Sequence, residues 1–183
     1  AVDHTAKHEP PTSQTLAGHD SRRGMTLGNG TFLLDGEPFR LFAGSLQHFR
    51  MHPDHWEHRL KLAKHMGLNA VQTLIPWFLM EPSPDAFVTD GFCDIVKFAQ
   101  LCDKHGLKIV LRPGPFICDG PDFGGLPWWL AQQGTSATTL PGQRAFQLRV
   151  RTSDPAYMHR VGLFYTKLFG LLRSANLTAG QGG

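Results

Sequence analysis

The feature that most narrows what this chain can fold into is a unit that occurs twice. His65-Met66-Gly67-Leu68 leads into an apolar, β-branched run at Ala70 to Ile75, and Lys104-His105-Gly106-Leu107 leads into another at Leu107 to Leu111. Gly67 and Gly106 lie 39 residues apart. Each glycine follows an amphipathic stretch: Trp56, Leu60, Ala63 and Met66 in the first unit, then Phe92, Ile95, Val96, Ala99 and Cys102 in the second. Apolar residues at that spacing predict helices, and a glycine just past the last of them predicts the helix end. Helix, glycine, strand and a proline-rich exit, recurring at this period, is the pattern of a βα repeat.

The neighbouring segments extend that pattern. Leu41 to Ser45 reads as a first strand, with Pro53 opening the helix that follows it. Asp154-Pro155 opens a last helix through Tyr157, Val161, Phe164, Tyr165, Leu168 and Leu172. Phe78 to Gly91 reads as a polar loop, and Ala131 to Val150 as an insertion loop. The apolar runs Thr31 to Leu34 and Pro38 to Phe42 flank Asp35-Gly36, a strong hairpin signal. Before the hairpin, residues 1–24 are polar and proline-containing and read as a flexible leader, leaving 25–183 as the domain.

The expected fold class is therefore α/β, with three βα units preceded by a β-hairpin. That is part of a TIM (β/α)8 barrel and half of one at most, since a complete barrel takes roughly 250 residues and this chain has 183. Hydrophobic residues make up 41% of it, enough for a core. A half barrel leaves a strand edge unpaired, which predicts poor solubility and a broad unfolding transition.

The net charge of +3 is scattered rather than gathered into a stripe, which does not suggest nucleic acid. No apolar stretch approaches the roughly 18 residues of a membrane span. Cys93, Cys102 and Cys118 have neither metal-ligand spacing nor an even count for disulfides. The opening residues lack the apolar centre of a secretory signal, so either a signal has been removed or the chain is a partial one. Asn29-Gly30-Thr31 and Asn176-Leu177-Thr178 are glycosylation sequons.

In parallel α/β architectures chemistry sits at the carboxyl ends of the strands. The loops to search are therefore Gln47 to Pro53, Pro76 to Gly91 and Pro113 to Pro127. The second carries Trp77 and Glu81; the third carries Asp119, Asp122, Gly124, Gly125, Trp128 and Trp129. Aromatic faces beside carboxylates suit a sugar, which offers an apolar ring face and hydroxyls. Glycoside hydrolysis needs a pair of carboxylates, and spacing alone does not single out a pair among Glu81, Asp119 and Asp122, which can equally cap backbone N–H groups. His48, His52, His55 and His58 read as a solvated histidine-rich loop, because they lack the order of a zinc-protease helix. No metal or other cofactor is implied.

A set of ordered motifs then carries a resemblance. Phe32-Leu33-Leu34-Asp35-Gly36-Glu37-Pro38-Phe39, Gly44-Ser45 with Phe49-Arg50, Gly67-Leu68-Asn69, Ile75-Pro76-Trp77 with Glu81-Pro82, Leu111-Arg112-Pro113-Gly114-Pro115-Phe116-Ile117-Cys118, Gly124-Gly125-Leu126-Pro127 and Arg151-Thr152-Ser153-Asp154-Pro155 resemble glycoside hydrolase family 35, the β-galactosidase family. The resemblance implies a retaining enzyme on a TIM barrel that removes terminal β-linked galactose. Its glutamate acid/base follows the fourth strand and its glutamate nucleophile the seventh, both beyond Gly183, so no catalytic residue is expected in this chain. It implies a β-galactoside or related oligosaccharide as partner, together with the rest of the barrel, and a secreted, lysosomal or vacuolar location.

By position in the family's motifs, Leu74, Trp77, Asp119 and Gly120 are the expected sugar-side residues. Three departures stand among them and their neighbours. Leu74 takes the place of a tyrosine, and Phe78 that of the asparagine after Pro-Trp. Asp119-Gly120-Pro121 takes the place of Ala-Glu-Trp, so the glutamate that grips a galactose hydroxyl is missing or moved one place earlier, to Asp119. Gln47-His48 replaces His-Tyr in the first loop. The alternatives to an N-terminal part of a hydrolase are a non-catalytic sugar-binding relative, holding sugar through Trp77, Trp128 and Asp119, and a half barrel with no function of its own.

Overall fold

The computed structural model describes residues 24–28, 30–118, 120–132 and 149–177. Apart from Gly24, the expected leader lies outside the described residues, as do Asp119 and most of the expected insertion loop.

The chain opens with a small antiparallel sheet, β1 (Met25–Gly28), β2 (Thr31–Leu34) and β3 (Glu37–Pro38), in that order. The turn between β2 and β3 falls at Asp35-Gly36, as expected, with φ of 53° and 86°. Two successive positive φ values suit the right-handed twist of a tight hairpin. The strand β1 departs from the expectation, which placed the first strand at Thr31. Met25 pairs with Leu34 and Gly28 with Thr31, so Gly30, at φ 73°, belongs to a second tight connection.

The second sheet is parallel, in the order β4 (Ala43–Ser45), β5 (Ala70–Leu74), β6 (Lys108–Arg112). Gly44 faces Val71 and Val71 faces Ile109, so the three strands run in register with all carboxyl ends on one side. Between them run α1 (Trp56–His65), the four-residue α2 (Trp77–Met80) and α3 (Ile95–Lys104), and α4 (Pro155–Ser174) follows β6. Asp154 caps α4, its side chain accepting from the N–H groups of Ala156 and Tyr157 at 3.0 and 3.3 Å.

The repeated glycine is a structural repeat. After α1, Leu68 N–H donates to Ala63 C=O and Gly67 N–H to Lys64 C=O, with Gly67 at φ 86°. After α3, Leu107 donates to Cys102 and Gly106 to Asp103, with Gly106 at φ 61°. After α4 the same pair of bonds runs from Leu177 to Leu172 and from Asn176 to Arg173, with Asn176 at φ 56°. All three helices end in one Schellman arrangement, whose left-handed position favours glycine and tolerates asparagine. Asn176 therefore serves the backbone as a helix terminator, which its sequon does not reveal.

The core lies between the parallel sheet and its helices. Trp56, Leu60, Val71, Ile75, Phe98, Phe164 and Leu168 are buried there. His48 is buried with them, its ring 5.4 Å from Phe98 and 6.0 Å from Trp56 between centroids. That corrects the reading of His48 as part of a solvated histidine loop. The wide aromatic side chains around it close off water, which the spacing of four histidines could not convey. A further correction concerns Phe78 to Gly91, which is not simply a polar loop: it starts inside α2, where Trp77 and Met80 are fully buried. No helix among the described residues is long and apolar enough to cross a membrane.

Candidate functional site

The parallel register gathers the three loops that leave β4, β5 and β6. Gln47, just past β4, accepts from the Leu74 N–H through Oε1 at 2.9 Å. Phe49 of the first loop, Leu74 at the end of β5 and Ile117 of the third loop are buried against one another, with Leu79 beside them. Tyr165 of α4 donates its hydroxyl to Gly114 C=O at 2.7 Å. A Cβ on Gly120 would lie 3.4 Å from the Arg50 guanidinium, which brings the third loop against the first.

The third loop is shaped by backbone freedom. Cys118, Gly120, Phe123, Gly124 and Gly125 all have positive φ. At Gly124 a Cβ would lie 1.8 Å from the Phe116 ring, and at Gly125 one would lie 2.5 Å from Ile117, so both positions exclude any side chain. Ile117 N–H donates to Gly124 C=O at 2.9 Å, closing the loop on itself. Phe123 is turned outward and partly exposed, and Trp128 is 60% exposed.

The second loop is organised around Glu81. This carboxylate is 3% exposed. Its Oε2 accepts from Trp77 Nε1 at 2.8 Å, and its Oε1 accepts from Asp85 N–H at 3.0 Å and Lys167 Nζ at 3.1 Å. Its backbone carbonyl accepts from Trp129 Nε1 at 2.8 Å. With both oxygens occupied and water excluded, Glu81 is fixed in place rather than presented to a substrate. Asp122, by contrast, is exposed.

Beneath the first loop, His48 Nδ1 lies 2.8 Å from Thr73 Oγ1, while Nε2 is buried without a hydrogen-bond partner. Burial lowers its pKa to about 4, holding the imidazole neutral. Burial also pushes the Cys93 thiol up to about 11 and Cys102 up to about 12, with Asp90 and Asp103 adding to the shift. Those two thiols are therefore core groups, not nucleophiles. A cavity of about 400 Å³ lies at the outer side of β6, where Ile95, Ala99, Ile109, Leu111 and Leu172 line it. These residues belong to α3, to the outward face of β6 and to α4, not to the three loops.

Comparison with known families bears directly on this arrangement. The family model for glycosyl hydrolases family 35 matches residues 31–183. The chain belongs to glycosyl hydrolase family 35. It is 38% identical over 156 residues to β-galactosidase 17 of Arabidopsis thaliana, covering 83% of this chain and 21% of that protein. It is 41% identical over 127 residues to the β-galactosidase of Mus musculus, covering 69% and 18%. It is 37% identical over 166 residues to β-galactosidase 8 of Oryza sativa subsp. japonica, covering 88% and 23%. The chain thus spans about a fifth of the length of the curated relatives it matches. The family implies a TIM-barrel-type domain; the described strands form an open three-stranded parallel sheet.

Within the family 35 frame, the expected sugar-side residues fall in different settings. Leu74 is buried at 1% exposure in the Phe49 and Ile117 cluster. Trp77 is fully buried, stacked on Phe164 at 4.8 Å between centroids and edge-on to Trp129. Gly120 is exposed beside Arg50, and Asp119 lies outside the described residues. The loops are brought together at one end, but Trp77 offers no ring face to solvent, while Trp128 does. Sequence reasoning alone does not single out Gln47 as a backbone anchor, nor Asp85, Arg160 and Lys167 as partners of the second loop. The only available signal is the seven-residue spacing of Arg160 and Lys167, which puts them on one face of α4.

Proposed function

We propose that this chain forms the first three βα units of the catalytic barrel of a β-galactosidase-type glycoside hydrolase, and contributes one wall of its sugar pocket. The observation that carries the reading is the convergence of three family-35 loops at the carboxyl ends of a parallel sheet, held by the Gln47 to Leu74 bond and the Phe49, Leu74 and Ile117 cluster. The substrate is a terminal β-linked galactoside or a related oligosaccharide. The acid/base and the nucleophile are supplied by glutamates after the fourth and seventh strands, outside these 183 residues, and as carboxylates about 5–5.5 Å apart they give retention of configuration. By itself the chain is inactive.

Leu74 and Gly120 support a second reading, a sugar-binding relative without turnover. A buried leucine and a bare glycine stand where the family places groups that grip hydroxyls, and a missing hydrogen bond of that kind weakens discrimination strongly. Asp119 is the replacement carboxylate in either reading, and Asp119→Ala in the longer protein is expected to weaken sugar affinity.

The test compares the protein translated from the whole reading frame with the 183-residue chain, using nitrophenyl β-galactoside, β-glucoside and β-mannoside. Hydrolysis by the longer protein, with the β-anomer released first, and none by the short chain is the expected result. Sugar binding without hydrolysis by the longer protein selects the second reading, and neither binding nor hydrolysis overturns both.

A further inference from the structure

We propose that the buried Glu81 and the half-buried Lys167 form a clamp that fixes the second loop against α4, making Glu81 a positioning residue of the sugar pocket. This rests on the glycosidase reading above.

Glu81 is the only buried acidic residue among the described residues. Its four donors come from separate places in the chain: Trp77 and Asp85 within its own loop, Trp129 after the third loop, and Lys167 on α4, 86 positions along the chain. Lys167 Nζ also lies 3.5 Å from Asp85 Oδ1 and 5.9 Å from the Phe87 ring centroid. Arg160, two helical turns earlier on α4, lies 3.7 Å from Asp85 Oδ1 and over the Trp129 ring at 5.6 Å. One face of α4 therefore grips the acidic turn at 81–85 together with two indoles that pack on that helix, Trp77 on Phe164 and Trp129 under Arg160.

The consequence is geometric. The turn follows β5 with only Ile75 and Pro76 before α2, so its position sets where the sugar-side end of β5 hands over to the loop. Burying a carboxylate is costly unless opposite charge and donors surround it. Removing Lys167 leaves Glu81 with neutral donors alone, and the loop must loosen to readmit water. Glu81 has no oxygen left to protonate a leaving group, so its loss disturbs substrate placement rather than proton transfer.

The test uses Glu81→Gln, Lys167→Met and Lys167→Arg in the protein translated from the whole reading frame. Two measurements are taken below the melting temperature: the indole N–H resonances of Trp77 and Trp129, and KM and kcat on a nitrophenyl β-glycoside. The expected result for Glu81→Gln and Lys167→Met is displaced indole resonances and a KM raised roughly tenfold to a hundredfold with kcat little changed, with Lys167→Arg near wild type. A kcat lower by roughly 100- to 10,000-fold at unchanged KM would instead make Glu81 a catalytic acid and overturn the proposal. A lower melting temperature with both constants and both resonances unchanged would overturn it too. If the wild-type protein hydrolyses no glycoside, the functional reading fails, and the indole resonances alone decide the clamp: displacement supports it and constancy refutes it.

Discussion

β5 and β6 are five residues each, run parallel and face each other residue for residue, yet they live in different surroundings. Four residues of β5, Ala70, Val71, Thr73 and Leu74, are buried. β6, with the more apolar centre Ile109-Val110-Leu111, is only half-buried and ends exposed at Arg112. β5 has a strand on either side, whereas β6 has one neighbour among the described residues. Burial here follows place in the sheet, not the hydrophobicity of the strand.

The contrast can be broken most forcefully with one side chain in two places. Ile75, immediately after β5, is fully buried, and Ile109 in β6 is half-buried. In the protein translated from the whole reading frame, Ile75→Ala is expected to cost about 2–5 kcal/mol. If β6 is as open there as it is here, Ile109→Ala costs about 1 kcal/mol; if further strands cover it, the two costs approach each other. Urea midpoints of the two variants decide between these outcomes.

The next effect belongs to the enclosed side alone. His48, buried against Thr73 of β5, has its pKa lowered from 6.5 to about 4. The unfolded chain therefore takes up a proton below about pH 6.5 while the folded chain does not until about pH 4. Stability from this group is fully present above pH 6.5 and falls as the pH drops through that window, by roughly 3 kcal/mol in all. The double variant His48→Phe with Thr73→Val should flatten this slope in denaturation curves recorded across the window. An unchanged slope would mean that other groups carry the pH dependence.

The smallest effect is on the open side. Lys108 N–H donates to Asn69 C=O and Ile75 N–H to Arg112 C=O, so alternate residues of β6 turn toward β5, and Ile109 and Leu111 direct their backbone groups to the edge that pairs with no other strand among the described residues. Hydrogen exchange should find the amides of Ile109 and Leu111 fast in the 183-residue chain and slow in the longer protein. Equal protection in both would show that this edge is already covered, and would remove the reason for expecting poor solubility.

Much of the fold was legible because its signals are local. Gly67 and Gly106 mark helix ends through their own backbone freedom, and Asp154-Pro155 marks a start through its own capping bonds. The hairpin strand Met25–Gly28 was missed because polar residues before it blurred the start, and pairing with β2 alone defines it. The site was less legible. The motifs placed three loops at one end of the sheet, but the aromatic residue they singled out, Trp77, turns inward onto Phe164. Glu81 stood out as an acid on the right loop, and its partner Lys167 lies on a helix whose distance from that loop no spacing encodes.

The sequence by itself determined the period, the helix ends, the turn at Asp35-Gly36 and the family, since each depends on neighbours within a few residues or on ordered motifs. Only the tertiary structure decided that His48 is a dry, neutral ring, that Trp77 is core, and that Glu81 is held by α4. Those properties depend on which side chains exclude water and which charges come close, and both are set by contacts between segments far apart in the chain.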